Sequence, residues 1–135
     1  MKLNLLVQFL CAALLMISAA IVSVASLISD ATSLWQSITI IMVVFKRVIK
    51  VINDIKYNHI NIAEDYYVWM KIGMALYNTF GEDGRSLYHI ISSQSAKYDP
   101  DECNRNYDEM FIYKYSKVNI STLFYFYNQA KKAVA

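Results

Sequence analysis

The distribution of charge constrains this chain more than any other feature. Of its 13 basic and 11 acidic residues, only Lys2 and Asp30 lie before Lys46. Leu3 to Ile28 is uncharged throughout, and a second mostly apolar run covers Leu34 to Phe45. The 56% apolar content would be ample for one core, but much of it stands in front of the part that has a soluble domain's charge density. Two domains are therefore expected, a hydrophobic segment at 1–45 and a folded domain at 46–135.

Three readings of residues 1–45 stay open. Lys2, an apolar run from Leu5 to Met16 and the small residues Ser23-Val24-Ala25-Ser26 have the three-part form of a secretory signal. Leu3 to Ile28 also exceeds the ~20 apolar residues that cross a bilayer as a helix, so the same residues suit an uncleaved anchor, the leading reading. The third reading is a mis-started extension. Lys2 on one side is opposed by Lys46, Arg47 and Lys50 on the other, so flanking charge assigns no orientation. A genuine front segment implies membrane association through residues 3–28; otherwise a cytoplasmic protein is expected.

Residues 46–135 read as all-α, a small five-helix bundle preceded by one or two apolar helices. Val44, Val48, Val51, Ile52 and Ile55 form a helical stripe, and Trp69, Ile72, Leu76 and Phe80 another, with Asp65 or Glu64 as its cap. Gly73 interrupts that second helix at a cost of about 1 kcal/mol relative to alanine, which suggests close approach of another helix backbone. Gly81-Glu82-Asp83-Gly84 stops it, with Gly81 suited to a left-handed C′ position. A third helix opens with Arg85, and Leu87, Tyr88 and Ile91, with Ile90 as a further candidate, give it an apolar face. Asp99-Pro100-Asp101-Glu102 is a strong N-terminal signal: Asp as N-cap, Pro at N1, Glu at N3. The fourth helix then carries Cys103, Tyr107, Met110 and Phe111 on one face. After a break at 113–117, Asn119 caps a last helix with Ile120, Leu123, Phe124, Tyr127 and Ala130. Structural core roles are expected for Trp69, Gly73, Leu76, Tyr107, Leu123 and Phe124.

Chemistry-bearing residues are sparse. The two cysteines, Cys11 and Cys103, fall in different parts, which argues against a disulfide framework or a cysteine zinc site. His59 and His89 with no Gly-rich phosphate loop assemble neither a metal cluster, a nucleophile triad nor a P-loop, so no metal, cofactor or catalytic residue is assigned. Asp99 and Asp101 could hold a divalent ion as D-x-D, but Pro100 places them at a helix start, where capping explains them. Arg85 behind two glycines could meet a phosphate at a helix N-terminus with Lys71 or Lys97; pairing with Glu82 or Asp108 is the plainer role. His89 lies one helical turn on. The chain holds 11 tyrosines, and Tyr107, Tyr113, Tyr115, Tyr125 and Tyr127 are interleaved with Arg105, Lys114, Lys117, Lys131 and Lys132. Such mixtures serve single-stranded nucleic acid, since rings stack on bases while cations follow phosphates. Arg85, His89, Lys97, Arg105 and Lys117 are thus the candidate nucleic-acid or phosphate contacts, and Arg85→Ala is expected to weaken salt-sensitive binding of single-stranded DNA.

Several of these residues also carry a resemblance. Asp65-Tyr66 with Trp69, Gly73-Met74-Ala75-Leu76, Gly81-Glu82-Asp83-Gly84-Arg85, His89, Ser92, Tyr98, Tyr107 and Val118-Asn119-Ile120-Ser121-Thr122-Leu123-Phe124 stand in an order similar to the primase C-terminal 2 family. The resemblance covers about Lys46 to Lys132. It implies a helical domain found beside primase and helicase modules of phage, plasmids and mobile elements, acting in DNA replication or primer synthesis. Primase or helicase catalytic domains and single-stranded DNA are the implied partners. It also attaches a hydrolase activity on acid anhydrides, for which no phosphate-binding motif is visible. Ile90 stands where the family pattern leads one to expect a basic residue. Lys131-Lys132-Ala133-Val134 replaces an expected glycine, which implies a domain cut short of its sequel. The alternatives are a small membrane-anchored interaction protein and a part of an NTP-hydrolysing enzyme.

Overall fold

A computed structural model describes residues 2–113 and 117–134, with side chains described for 8–112 and 117–133. Lys114, Tyr115 and the side chain of Tyr113, which belong to the aromatic-basic pattern, lie outside the described residues. The described residues contain helices and no strand: α1 (Lys2–Tyr57), α2 (Tyr66–Phe80), a 3-10 turn (Gly81–Asp83), α3 (Gly84–Ser92), α4 (Pro100–Tyr113) and α5 (Ser121–Val134). The chain divides into two compact units, Met1–Phe45 and Lys46–Ala135. The all-helical expectation therefore holds, whereas its count needs correction. One 56-residue helix replaces both the separate apolar helices and the first helix of the bundle, so the rear unit holds four helices of its own plus the end of α1. Asp30 is too little to stop a helix whose backbone bonds continue uninterrupted, and no Gly or Pro stands before Gly73 to break it.

In the front unit the apolar side chains point outward. Phe9, Leu15, Met16, Val22, Leu34 and Trp35 are each about two-thirds exposed or more. Its hydroxyls bond within the helix: Ser18 donates to the Leu15 carbonyl and Ser26 to that of Ser23, both at 2.8 Å. Ser33 and Thr39 do the same with Asp30 and Trp35.

In the rear unit the core forms from one face of every helix. Val48, Ile52 and Ile55 of α1, Ile72 and Leu76 of α2, Tyr88 and Ile91 of α3, Cys103, Tyr107 and Met110 of α4, and Leu123 of α5 are all buried. Helix α2 is the hub, packing on α3, α4 and α5. Side chains join the end of α1 to α5: the Arg47 guanidinium lies 4.6 Å from the Phe124 ring centroid, and Asp54 accepts from the Tyr127 hydroxyl and pairs with Lys131 at 3.1 Å. Trp69 and Phe124 are only half-buried, and Phe111 is 52% exposed rather than part of the α4 core face. Tyr77 covers Phe111 edge-on at 5.3 Å, and the buried polar residue Asn106 takes a place in the interior that no apolar pattern marks.

The caps follow local chemistry. Asp65 accepts from the Val68 N–H at 3.0 Å, Asp99 from the N–H groups of Asp101 and Glu102, and Asn119 from that of Ser121. Helix α1 ends in a Schellman-type turn, with the Ile60 N–H on the Ile55 carbonyl and His59 at φ 50° where glycine is the usual residue. Gly81 has φ 57° and ψ −132°, a different positive-φ conformation from the left-handed helical one anticipated. Gly73 is a second correction. A Cβ there would meet the Met110 thioether and, at 2.9 Å, Tyr88 Cε2, so it admits side chains and not a helix backbone.

The Tyr88 ring lies stacked on Trp69, 5.4 Å between centroids, and its hydroxyl is buried with no hydrogen-bond partner among the described residues. Burial pushes that phenol far above the usual tyrosine range. A buried hydroxyl left unpaired costs about 1–3 kcal/mol. Tyr88→Phe is accordingly expected to leave stability unchanged or to raise it by about 1 kcal/mol in chemical denaturation. A loss of more than about 1 kcal/mol would show that the oxygen has a partner.

Candidate nucleic-acid interface

Arg85 sits in the first turn of α3, and the fold surrounds it with acceptors. Nε and Nη2 reach the Glu82 carboxylate, Nη2 also meets Asp108 Oδ1 at 2.6 Å, and Nη1 donates to the Asn104 carbonyl at 3.2 Å. The guanidinium lies 4.9 Å from the Tyr107 ring centroid. The Glu82 and Asp108 carboxylates hold the arginine firmly protonated. The arginine in turn draws the Glu82 carboxyl below its ordinary range. Every nitrogen of this side chain is thus engaged by protein, and the arginine clamps the Gly81–Gly84 turn onto α4.

Asn104 extends the network to His89. Its Oδ1 lies 2.9 Å from His89 Nε2, while His89 Nδ1 faces the Tyr98 hydroxyl at 2.7 Å. With the amide oxygen as acceptor, Nε2 carries the proton and Nδ1 accepts from Tyr98, a tautomer inferred from the partners. Sequence reasoning did not single out Asn104, because nothing local marks a residue whose role is to join two side chains of another helix.

The remaining candidates separate. Lys97 pairs with Glu64 at 2.6 Å. Glu64 also accepts from Asn61 and Ser95, and these contacts, with Lys97 foremost, lower its carboxyl to about 2. Arg105 is exposed on α4 and makes no ion pair among the described residues. Lys117 borders an open groove with Lys71, Val118, Ser121, Tyr125 and Phe126. Neither lysine has an ion-pair partner among the described residues, and both are exposed. Tyr125 is 58% exposed and meets Phe126 edge-on at 5.2 Å. Two unpaired ammonium groups beside the exposed Tyr125 ring and the half-buried Phe126 are the kinds of group that single-strand surfaces combine. The N–H groups of Ser121, Thr122 and Leu123 already bond to Asn119 or Ile120, so the lysines, not the α5 terminus, carry the positive field. Lys71 thus finds its cationic neighbour on the α5 side of α2.

This rear unit is a small helical domain with a basic, aromatic groove, a tightly clamped turn and no catalytic constellation among its described residues. The family model for Primase C terminal 2 (PriCT-2) matches residues 51–126, and the chain belongs to that family. The front unit lies outside the match. No curated protein and no solved structure matches the chain.

Proposed function

We propose that residues 46–135 are a non-catalytic accessory module of a primase- or helicase-type replication protein of a phage, plasmid or mobile element. The module orients catalytic domains on template during DNA replication or primer synthesis. The groove of Lys71, Lys117, Tyr125 and Phe126 carries this reading, together with the family membership. Arg85 and His89 serve the reading indirectly, by holding α3 on α4. Fluorescence anisotropy of a labelled oligothymidylate with the full chain in mild detergent tests it. Binding is expected to weaken with salt, and Lys71→Ala with Lys117→Ala to reduce the log–log salt slope by about 1.4, at about 0.7 for each phosphate no longer neutralised. Tyr125→Ala is expected to cost about 1–3 kcal/mol of affinity as one stacking platform. Absence of binding at low salt would remove nucleic-acid contact from the reading.

A second reading concerns α1, and the observation favouring it is apolar exposure around the front unit together with hydroxyls that bond inside the helix. In hydrocarbon a polar group without a partner is costly, and self-bonded Ser and Thr avoid that cost. We read residues 3–28 as a membrane anchor, which makes the chain membrane-associated. The full chain is expected to stay in the membrane pellet after carbonate washing, and release into the supernatant would exclude the anchor.

A further inference from the structure

A cleft of about 190 Å³ lies away from the Lys71–Lys117 groove and shares no lining residue with it. Tyr66, Trp69 and Tyr98 line it together with Lys97, Asp99 and Glu102. The hydrogen-bonding groups of the aromatic residues are largely engaged elsewhere. Trp69 Nε1–H donates to Ser92 Oγ at 2.7 Å, and the Tyr98 hydroxyl faces His89. The one cation of the lining, Lys97, is neutralised by Glu64. Asp99 uses Oδ1 to cap α4, and the Glu102 carboxylate has no hydrogen-bond or ion-pair partner among the described residues. The half-positive end of the α4 dipole offsets about half a unit charge, which leaves the lining net negative.

Aromatic rings and acceptor-only carboxylates in one lining select a flat cation that brings its own N–H donors. A phosphate would be repelled. The volume also falls below the roughly 300–1,000 Å³ of sites that enclose drug-sized ligands, and suits one inserted side chain. We infer that this cleft receives an arginine side chain from a partner protein, its guanidinium against the Trp69 and Tyr98 rings and its donors on Glu102 and Asp99. The inference stands on the cleft alone and does not require the Lys71–Lys117 groove to bind DNA.

The test uses the full chain carrying Trp35→Phe in detergent micelles, so that the one remaining indole N–H resonance belongs to Trp69. The probe is the blocked tripeptide acetyl-Gly-Arg-Gly-amide, compared with its citrulline analogue, which keeps the shape and loses the charge. The arginine peptide is expected to move the Trp69 resonance in a saturable way at about millimolar concentration. Citrulline, or Glu102→Gln combined with Asp99→Asn, is expected to weaken binding at least about five-fold, in line with loss of a charge-assisted hydrogen bond. Asparagine is as good an N-cap as aspartate, so α4 keeps its start, and an unchanged near-ultraviolet dichroism spectrum checks that the variant is folded. An equal response to both peptides, no response to arginine, or a stronger response to pentathymidylate would overturn the assignment. Lys71→Ala with Lys117→Ala is expected to leave the arginine response intact, which separates this site from the proposed DNA groove.

Discussion

Gly84→Ala is expected to destabilise the rear unit by about 2–3 kcal/mol and to lower its melting temperature by about 10–20 °C. Gly84 has an ordinary helical backbone, φ −70° and ψ −17°, so conformational freedom is not what the position requires. Space is. An added Cβ would stand against the Tyr107 hydroxyl and 2.9 Å from the Leu76 carbonyl oxygen. The carbonyl belongs to the hub helix and has no free rotation with which to retreat. The hydroxyl is held by its 2.7 Å hydrogen bond to the Gly81 carbonyl, worth about 1 kcal/mol in itself. Thermal denaturation of Gly84→Ala, Tyr107→Phe and the double variant checks the argument. Removing the hydroxyl relieves one of the two obstructions, so the double variant should lose less than the sum of the single losses. Gly81→Ala is the contrasting case, because nothing lies within 4 Å of a Cβ there and the strain would come from φ 57° alone. A Gly84→Ala domain as stable as the parent would mean that α2 and α3 can part freely at this turn.

Leu123→Ala is expected to cost about 2–5 kcal/mol, the range for deleting a fully enclosed leucine. Leu123 is wholly buried and is the one fully buried large residue on the described part of α5, whose helix packing is on α2. The other ties of α5 lie nearer the surface, through Phe124 with Arg47 and Tyr127 with Asp54. Truncation should therefore loosen α5 before the remaining helices. Because Lys117, Tyr125 and Phe126 border the groove with Lys71, oligothymidylate affinity is expected to fall together with stability, although Leu123 does not line that groove. Parallel denaturation and anisotropy measurements check this. A stability loss below about 1 kcal/mol would show that α5 is held mainly by its polar contacts.

Local chemistry explains why much of the rear unit could be read in advance. Caps at Asp65, Asp99 and Asn119 depend on residues two or three positions away, so their signal is present in the chain itself. The buried positions Val48, Ile72, Leu76, Ile91 and Leu123 follow helical spacing for the same reason. Phe111 departs from that rule, since it meets Tyr77 on an exposed face instead of entering the core. The α1 boundary differs from expectation because the pause in hydrophobicity around Asp30 contains no residue able to interrupt backbone hydrogen bonding. Asn104 carries no local signal because its importance lies in which helix stands opposite.

The order and spacing of residues in 46–135 were enough to determine an all-helical domain, since caps, apolar stripes and turn glycines act over one or two helical turns. Its family followed from the resemblance of those motifs to known sequences, which the family model bears out over residues 51–126. Charge distribution alone likewise marked the front 45 residues as different in kind. Tertiary structure decided what each charged side chain does. It surrounded Arg85 with Glu82, Asp108 and Asn104, paired Lys97 with Glu64, and placed Lys71 beside Lys117 across the α2–α5 groove. A charge's role depends on which opposite charge, ring or carbonyl lies within a few ångströms, and that neighbour is set by helix packing between residues far apart in the chain.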